Sequence, residues 1–237
     1  DCAFCMTGRG GFARNLKLSE MAEQVFAARS LLSPGQNITN LVLMGMGEPL
    51  LNYDEVIKFL NIAAHQKGLA FAPRRITVST AGIAPLIERL GRDTKVNLAV
   101  SLNATTDEVR SRIMPINKKY PLKALLDACR KYPVARNRQI IFEYVMMKGV
   151  NDSLEDAKSL VKLLRGIKCK INLIPFNPFQ GAEFKRPQDS AILSFQRFLL
   201  NNKYIAVIRT SKGQDISAAC GQLEGRYKGK GTLTNRF

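Results

Sequence analysis

The sequence predicts an α/β protein built on a parallel sheet, and three observations support this fold class. Short apolar runs typical of buried strands alternate with longer amphipathic segments along the chain. No repeat of 20–50 residues and no low-complexity segment interrupts the alternation. The length of 237 residues is enough to bury a full core. Right-handed crossovers leave two arrangements open, a doubly wound sheet or a barrel.

The predicted elements follow one another in a regular order. A first helix begins at Ser19 and ends before Pro34-Gly35. Further helices are predicted at 53–66, 84–90, 105–113, 121–132, 153–165 and 188–202. Strands are predicted at 39–44, 75–80, 96–102, 138–147, 169–175 and 204–209. No linker divides this series, so we predict one core domain over 1–210 and a polar C-terminal extension over 211–237.

The charge balance favours a polyanionic partner. The chain has 36 Lys and Arg residues against 19 Asp and Glu residues, a net charge of +17. Basic surfaces release counterions from phosphates, so nucleic acid is a natural partner, although a basic enzyme of another kind has the same balance. No apolar run is long enough to span a bilayer, and we expect no membrane partner.

The cysteine count indicates a reducing compartment. Five cysteines are too few and too scattered for the disulfide framework of a secreted protein, which predicts a cytoplasmic location. They lie at positions 2, 5, 129, 169 and 220.

Small polar residues follow several predicted strands. Glu48 follows the first strand, Ser79 and Ser101 end the next two, and Asn177 follows the strand at 169–175. Any one of them alone is explained as a helix cap or a turn residue. Parallel α/β folds place their chemistry at the carboxyl ends of strands. Four such ends together predict a site for a polar ligand with ribose and amino-acid parts.

The turn Gly45-Met46-Gly47-Glu48-Pro49 is glycine-rich but matches no nucleotide-binding fingerprint. It lacks the third glycine of a dinucleotide site and the Lys-Ser/Thr pair of a P-loop. An obvious Rossmann dehydrogenase or NTPase is therefore excluded. Two glycines allow a backbone to approach a ligand closely, although a tight strand–helix turn has the same composition.

The pair Cys2-Ala3-Phe4-Cys5 admits several interpretations. It can be half of a zinc site, a redox dithiol, or two of the thiolates that hold an iron–sulfur cluster. Two unrelated thiols are a further alternative, and the spacing alone does not decide among them.

Six stretches in a fixed order identify a resemblance that covers essentially the whole chain. They are residues 1–5, 42–52, 98–104, 114–117, 174–179 and 216–223. Together they resemble the radical S-adenosylmethionine enzymes that methylate an adenine base in RNA. The resemblance implies a partial parallel (β/α)6 barrel of the radical SAM type with a C-terminal extension.

The resemblance also implies a set of site residues. Cys2 and Cys5 match two of the three cysteines that bind a 4Fe–4S cluster, and Cys220 matches a cysteine that carries the methyl group. The positions that match contacts to S-adenosyl-L-methionine are Gly47, Glu48, Ser79, Ser101, Leu102, Asn103 and Asn177. The first cluster cysteine is expected four residues before Cys2, outside this chain, as is a resolving cysteine. We therefore expect the chain alone to bind a cluster weakly and not to complete turnover.

The implied reaction methylates carbon 2 of an adenine in 23S rRNA and some tRNAs. A 5′-deoxyadenosyl radical takes a hydrogen from the methyl group on Cys220, and a protein–RNA adduct is then resolved as a disulfide. Implied partners are these RNAs and an electron donor such as a flavodoxin or ferredoxin, with the enzyme as a monomer. Alternatives are methylation of carbon 8, a non-catalytic RNA- or metal-binding module, and a thiol–disulfide oxidoreductase that uses Cys2 and Cys5.

Overall fold

A computed structural model of the chain describes residues 2–9, 11–179 and 181–209. Six strands form a single sheet in the order β1-β2-β3-β4-β5-β6, and every neighbouring pair is parallel. The strands are β1 Leu41–Leu43, β2 Ile76–Thr80, β3 Asn97–Ser101, β4 Ile140–Met146, β5 Cys169–Pro175 and β6 Ile205–Ile208.

Eight α-helices connect or precede these strands. They are α1 Met6–Arg9, α2 Leu18–Ser30, α3 Tyr53–Ala64, α4 Ala84–Asp93, α5 Asp107–Ile113, α6 Leu122–Lys131, α7 Leu154–Leu163 and α8 Asp189–Asn201, within the described ranges. Short 3₁₀ helices lie at Pro49–Asn52, Pro73–Arg75 and Pro115–Lys118. Among the described residues, no helix is long and apolar enough to cross a membrane.

Local sequence explains several helix starts. The Ser153 hydroxyl accepts a hydrogen bond from the Asp156 backbone N–H, and the Asp156 carboxylate accepts one from the Ser153 N–H. This capping box satisfies backbone donors that would otherwise have no partner at the start of α7. Thr106 caps α5 in the simpler way, through its side-chain oxygen.

The strand order decides between the two predicted arrangements. Each crossover moves to the next strand in the same direction, so right-handed connections place the helices on one side of the sheet. A doubly wound sheet would need a reversal of strand order, and none occurs among the described strands. The result is the predicted partial barrel, in which β1 and β6 are the two edges of the described sheet.

The two faces of the sheet differ in chemistry. Side chains on the outer face, such as Val78, Val100 and Phe142, are fully buried beneath the helices. The inner face is more polar, and its residues alternate with the outer ones along each strand. The inner-facing polar residues include Thr77, Ser79, Ser101, Glu143 and Asn172.

The predicted elements are all present, with differences at their ends. β1 has three residues rather than six, and β4 and β5 are equally long, whereas the strand at 138–147 was expected to be the longest. α4 continues to Asp93, beyond the predicted end at 90, because Leu90 still packs in the core. α1 and the three 3₁₀ helices were not predicted. The predicted extension over 211–237 lies outside the described residues and stays a prediction.

Candidate functional site

The loop that carries the cysteine pair lies at the carboxyl edge of the sheet. The Ala3 backbone N–H donates to the Ile113 carbonyl at 2.9 Å, which ties the loop to the end of α5. The Cys5 N–H donates to the Cys2 carbonyl at 3.1 Å and closes a turn. Phe4 packs against a buried cluster that includes Met114 and Phe176. The fold thereby places both thiols beside the ends of the central strands.

Cys2 and Cys5 are both half-buried and free of any disulfide. Burial raises the pKa of the Cys2 thiol, and the positive charge of Arg110 opposes this shift. Soft thiolates are the usual ligands of iron–sulfur clusters. The pair therefore fits two of the three thiolate positions expected from the sequence. Within the described part of the chain, no group of three or more His, Cys, Asp or Glu residues is placed to hold a metal ion.

Cys129 and Cys169 do not contribute to this site. Both are buried in the core of the outer face, and burial raises the pKa of each thiol to about 12. They are structural thiols. Cys220, the predicted methyl carrier, lies outside the described residues.

Glu48 joins the turn after β1 to the end of β2. One carboxylate oxygen accepts the Leu50 N–H at 3.0 Å, and the other accepts the Ala81 N–H at 2.6 Å. Burial raises the pKa of this carboxyl, while hydrogen bonds from Ala81, Leu50 and Thr80 oppose the rise. The carboxylate is thus engaged within the protein. Its position leaves the backbone of the turn as the part that can contact a ligand.

Gly47 has the open geometry that such a backbone contact requires. Its φ is +93°, in the left-handed region, and no atom lies within 4 Å of the position that a side-chain carbon would occupy there. A larger residue would be strained by the backbone rather than by its neighbours. The turn therefore presents exposed backbone beside Glu48.

Replacing Glu48 with Gln is expected to reduce the free energy of unfolding by about 1–3 kcal/mol, because the amide nitrogen would face a backbone N–H donor. Urea denaturation followed by circular dichroism measures this change. Glu23→Gln, at an exposed position of α2, is the matched control. Equal stability of the two variants would show that Glu48 does not hold the turn.

The other predicted cofactor contacts fall into two groups. Ser79 and Ser101 are half-buried on the inner face near the carboxyl edge, and Asn177 is buried just after β5. Leu102 and Asn103 directly follow β3, and their polar groups already form hydrogen bonds within the protein. The Leu102 side chain lies in the outer core, and its N–H donates to the Glu143 carbonyl.

Asn103 anchors β3 to β4. It has a φ of +59° and is buried. Its side-chain oxygen accepts the Val145 N–H at 2.7 Å, and its carbonyl accepts from the Asn151 side chain at 2.7 Å. The side chain also donates to the sulfur of Met114 at 3.1 Å. The carboxamide therefore shapes the site, and direct contact of Asn103 with a cofactor stays a prediction.

Arg110 is a central residue of the site that the sequence did not reveal. Its buried guanidinium donates to the carbonyls of Ala81 at 2.7 Å, Ser101 at 3.0 Å and Leu102 at 3.0 Å. It also donates to the Asn117 side chain at 3.0 Å. Burial lowers the Arg110 pKa to about 10. One side chain thus holds the ends of β2 and β3 together beneath the cysteine loop.

Comparison with known proteins gives the family. The model of the radical SAM superfamily matches residues 1–164, which carry the cysteine pair, the glycine turn and the ends of β1, β2 and β3. The chain belongs to the radical SAM superfamily. For this radical SAM protein the family implies S-adenosylmethionine and a 4Fe–4S cluster, in agreement with the two thiols at the sheet edge.

Curated relatives show which members of the superfamily this chain resembles. The chain is 56% identical over 228 residues to the "Dual-specificity RNA methyltransferase RlmN" of Desulfosudis oleivorans, covering 96% of this chain and 62% of the relative. It is 56% identical over 225 residues to the protein of the same name from Geobacter sulfurreducens, covering 95% of this chain and 61% of the relative. This radical SAM protein thus spans about three fifths of the length of these relatives.

A solved structure agrees with the fold. The crystal structure of a radical SAM methyltransferase from Sphaerobacter thermophilus matches with a TM-score of 0.89 and 47% identity, over 93% of this chain and 65% of that one. A second structure, Streptococcus suis SuiB, matches at a TM-score of 0.63 with 13% identity and supports the fold alone. The first of these structures confirms the radical SAM architecture of the six-stranded sheet.

Proposed function

We propose that this chain is the core of an RNA methyltransferase that transfers a methyl group from S-adenosylmethionine to carbon 2 of an adenine. The substrates are 23S rRNA and some tRNAs. The observation that carries this proposal is the 56% identity to relatives named dual-specificity RNA methyltransferases, together with the cysteine pair at the sheet edge. The net charge of +17 suits RNA phosphates.

In this proposal, the described residues bind the cluster and the cofactor and orient them. Cys2 and Cys5 hold two irons of the 4Fe–4S cluster, and the Gly47 backbone contacts the methionyl part of the cofactor. Ser79, Ser101 and Asn177 contact the cofactor along the same edge. When bound, the cluster and its cofactor supply one-electron chemistry. The protein contributes a buried floor that excludes water, formed by residues such as Met114 and Phe176.

Cys220 carries the methyl group in this proposal. Carbon 2 of adenine lies between two ring nitrogens and is electrophilic, so it does not attack a sulfonium methyl group as an amine would. A thiolate is a soft nucleophile that does so readily. A methylated cysteine therefore provides the carbon that is joined to the base, and the adenine must be unstacked to reach it.

The remaining assignments follow from the same family likeness. An electron donor such as a flavodoxin or ferredoxin supplies the reducing electrons, the enzyme acts as a monomer, and its location is cytoplasmic. Carbon 8 is the alternative target on the same base, and the choice of carbon 2 rests on the overall sequence resemblance.

In protein that includes the upstream cysteines predicted by the family resemblance, replacing Cys220 with Ala is expected to abolish methylation, since the core thiols Cys129 and Cys169 lie on the outer face and cannot take its place. Mass spectrometry of nucleosides from treated RNA, against 2-methyladenosine and 8-methyladenosine standards, measures both activity and target carbon. Cys129→Ala, which alters a core thiol, is the control and should keep activity while folded. Methylation by the Cys220 variant would refute the methyl-carrier role, and 8-methyladenosine would refute the choice of carbon 2.

A further inference from the structure

A polar row crosses the inner face of the sheet just below the cofactor edge. In strand register, Ser101 of β3 pairs with Glu143 of β4, Glu143 pairs with Asn172 of β5, and Asn172 pairs with Val207 of β6. Neighbouring strands lie about 4.8 Å apart, so Glu143 is one strand and Asn172 two strands from Ser101. The row therefore extends sideways from a proposed cofactor contact.

Glu143 and Asn172 are buried but incompletely satisfied. Glu143 is 8% exposed and Asn172 is 5% exposed. The Asn172 side-chain nitrogen donates to one Glu143 carboxylate oxygen at 2.8 Å. Within the described part of the chain, the second Glu143 oxygen and the Asn172 oxygen receive no hydrogen bond. Buried polar groups usually have partners, so these atoms are suited to a ligand.

No described cation forms an ion pair with Glu143. Burial raises the pKa of the Glu143 carboxyl, and the Asn172 hydrogen bond with the charges of Arg209 and Lys170 opposes that rise. The carboxyl group of Glu143 and the side-chain oxygen of Asn172 can accept hydrogen bonds, and the side-chain nitrogen of Asn172 can donate them.

Among the described residues, the row is exposed at its β6 end. Val207, the next residue of the row, is 44% exposed on β6. The row thus runs from a proposed cofactor contact at Ser101 to an accessible edge. A flat ring entering over β6 would meet Asn172 and Glu143 before it reached Ser101.

We infer that Glu143 and Asn172 form a binding site for the edge of an adenine base. Adenine presents its 6-amino donor beside a ring-nitrogen acceptor, which matches a carboxamide or a carboxyl group in two parallel hydrogen bonds. Asn172 has a free oxygen for the amino group and a second N–H for the ring nitrogen. This inference rests on the proposed function, whose two adenines belong to the RNA target and to the cofactor.

Base discrimination tests the site directly. Two fluorescently labelled RNA hairpins, one with adenine and one with purine at the target position, are bound to the cluster-reconstituted protein without reductant. Purine lacks the 6-amino group, so fluorescence anisotropy should show about tenfold or more weaker binding of its hairpin. Glu143→Met and Asn172→Thr should each remove this difference. The use of two variants keeps the test informative if one of them does not fold. Thermal unfolding shows whether each variant is folded.

Thr77→Val is the matched control. Thr77 is also 8% exposed and lies on the same inner face, two rows toward the amino ends of the strands. This variant should keep the wild-type preference for adenine. If it also loses the preference, the effect reports a general disturbance of the inner face and the specific site is overturned.

A second arm separates the two sources of adenine. Equilibrium dialysis with radiolabelled S-adenosylmethionine measures cofactor affinity of the same variants. If the variants bind the cofactor more weakly but keep the preference for the adenine hairpin, the site belongs to the cofactor's adenine. If they lose that preference but keep their cofactor affinity, the site belongs to the RNA adenine. Unchanged values in both arms overturn the inference. If wild-type protein that includes the upstream cysteines predicted by the family resemblance methylates no RNA and binds neither hairpin, the proposed function itself fails.

Discussion

Replacing Cys2 with Ala is expected to abolish binding of the 4Fe–4S cluster. The cysteine loop supplies two thiolates at the sheet edge, and loss of one leaves a single thiolate there among the described residues. Iron–sulfur clusters are held by thiolate bonds, so one remaining ligand does not retain the cluster. Visible absorption after anaerobic reconstitution with iron and sulfide measures this loss.

Cys169→Ala provides the control for that experiment. Its thiol lies in the outer core, away from the cysteine loop, and the variant should keep the wild-type absorption. The Cys5→Ala variant should behave as Cys2→Ala does. A full cluster signal in either loop variant would contradict the assignment of the pair as cluster ligands.

Replacing Arg110 with Met is expected to reduce the free energy of unfolding by about 3–5 kcal/mol. The change leaves the carbonyls of Ala81, Ser101 and Leu102 without the donors that they now have. Each is beside the buried end of a strand, where water is a poor substitute. Urea denaturation followed by circular dichroism measures the loss.

Arg112→Met is the control on the same helix, because Arg112 is exposed and should change stability by no more than about 0.5 kcal/mol. Arg110→Lys should be intermediate, since an ammonium group lacks the planar fork that reaches several acceptors at once. Equal stability of the Arg110 and Arg112 methionine variants would show that the buried guanidinium does not hold the strand ends.

Most of the fold was predictable because its signals are local. Each buried strand is a short apolar run, and the helices carry capping residues such as Ser153. Local patterns did not distinguish an open sheet from a barrel, because strand order is set by contacts between distant segments. The family resemblance alone predicted the barrel. The short length of β1 was also missed, because the residues of the predicted strand outside Leu41–Leu43 do not pair with β2.

The candidate site was predictable in outline for a similar reason. Polar residues at the ends of strands converge in any parallel sheet, so Glu48, Ser79 and Ser101 could be grouped from the sequence. The role of Arg110 could not be predicted, because an arginine in a short charged helix resembles a solvent-exposed residue. Glu143 lies inside an apolar strand, and that exception to the pattern was a signal of its role on the inner face.

The measurement that tests the central claim most directly is electron paramagnetic resonance of the reduced cluster, with and without S-adenosylmethionine. The protein used should include the upstream cysteine that the family resemblance predicts. We predict a 4Fe–4S signal that shifts when the cofactor is added, because our proposal places the cofactor beside Cys2 and Cys5 at the sheet edge. A colourless protein, or a cluster signal that the cofactor leaves unchanged, would contradict the assignment of this edge as a radical SAM active site.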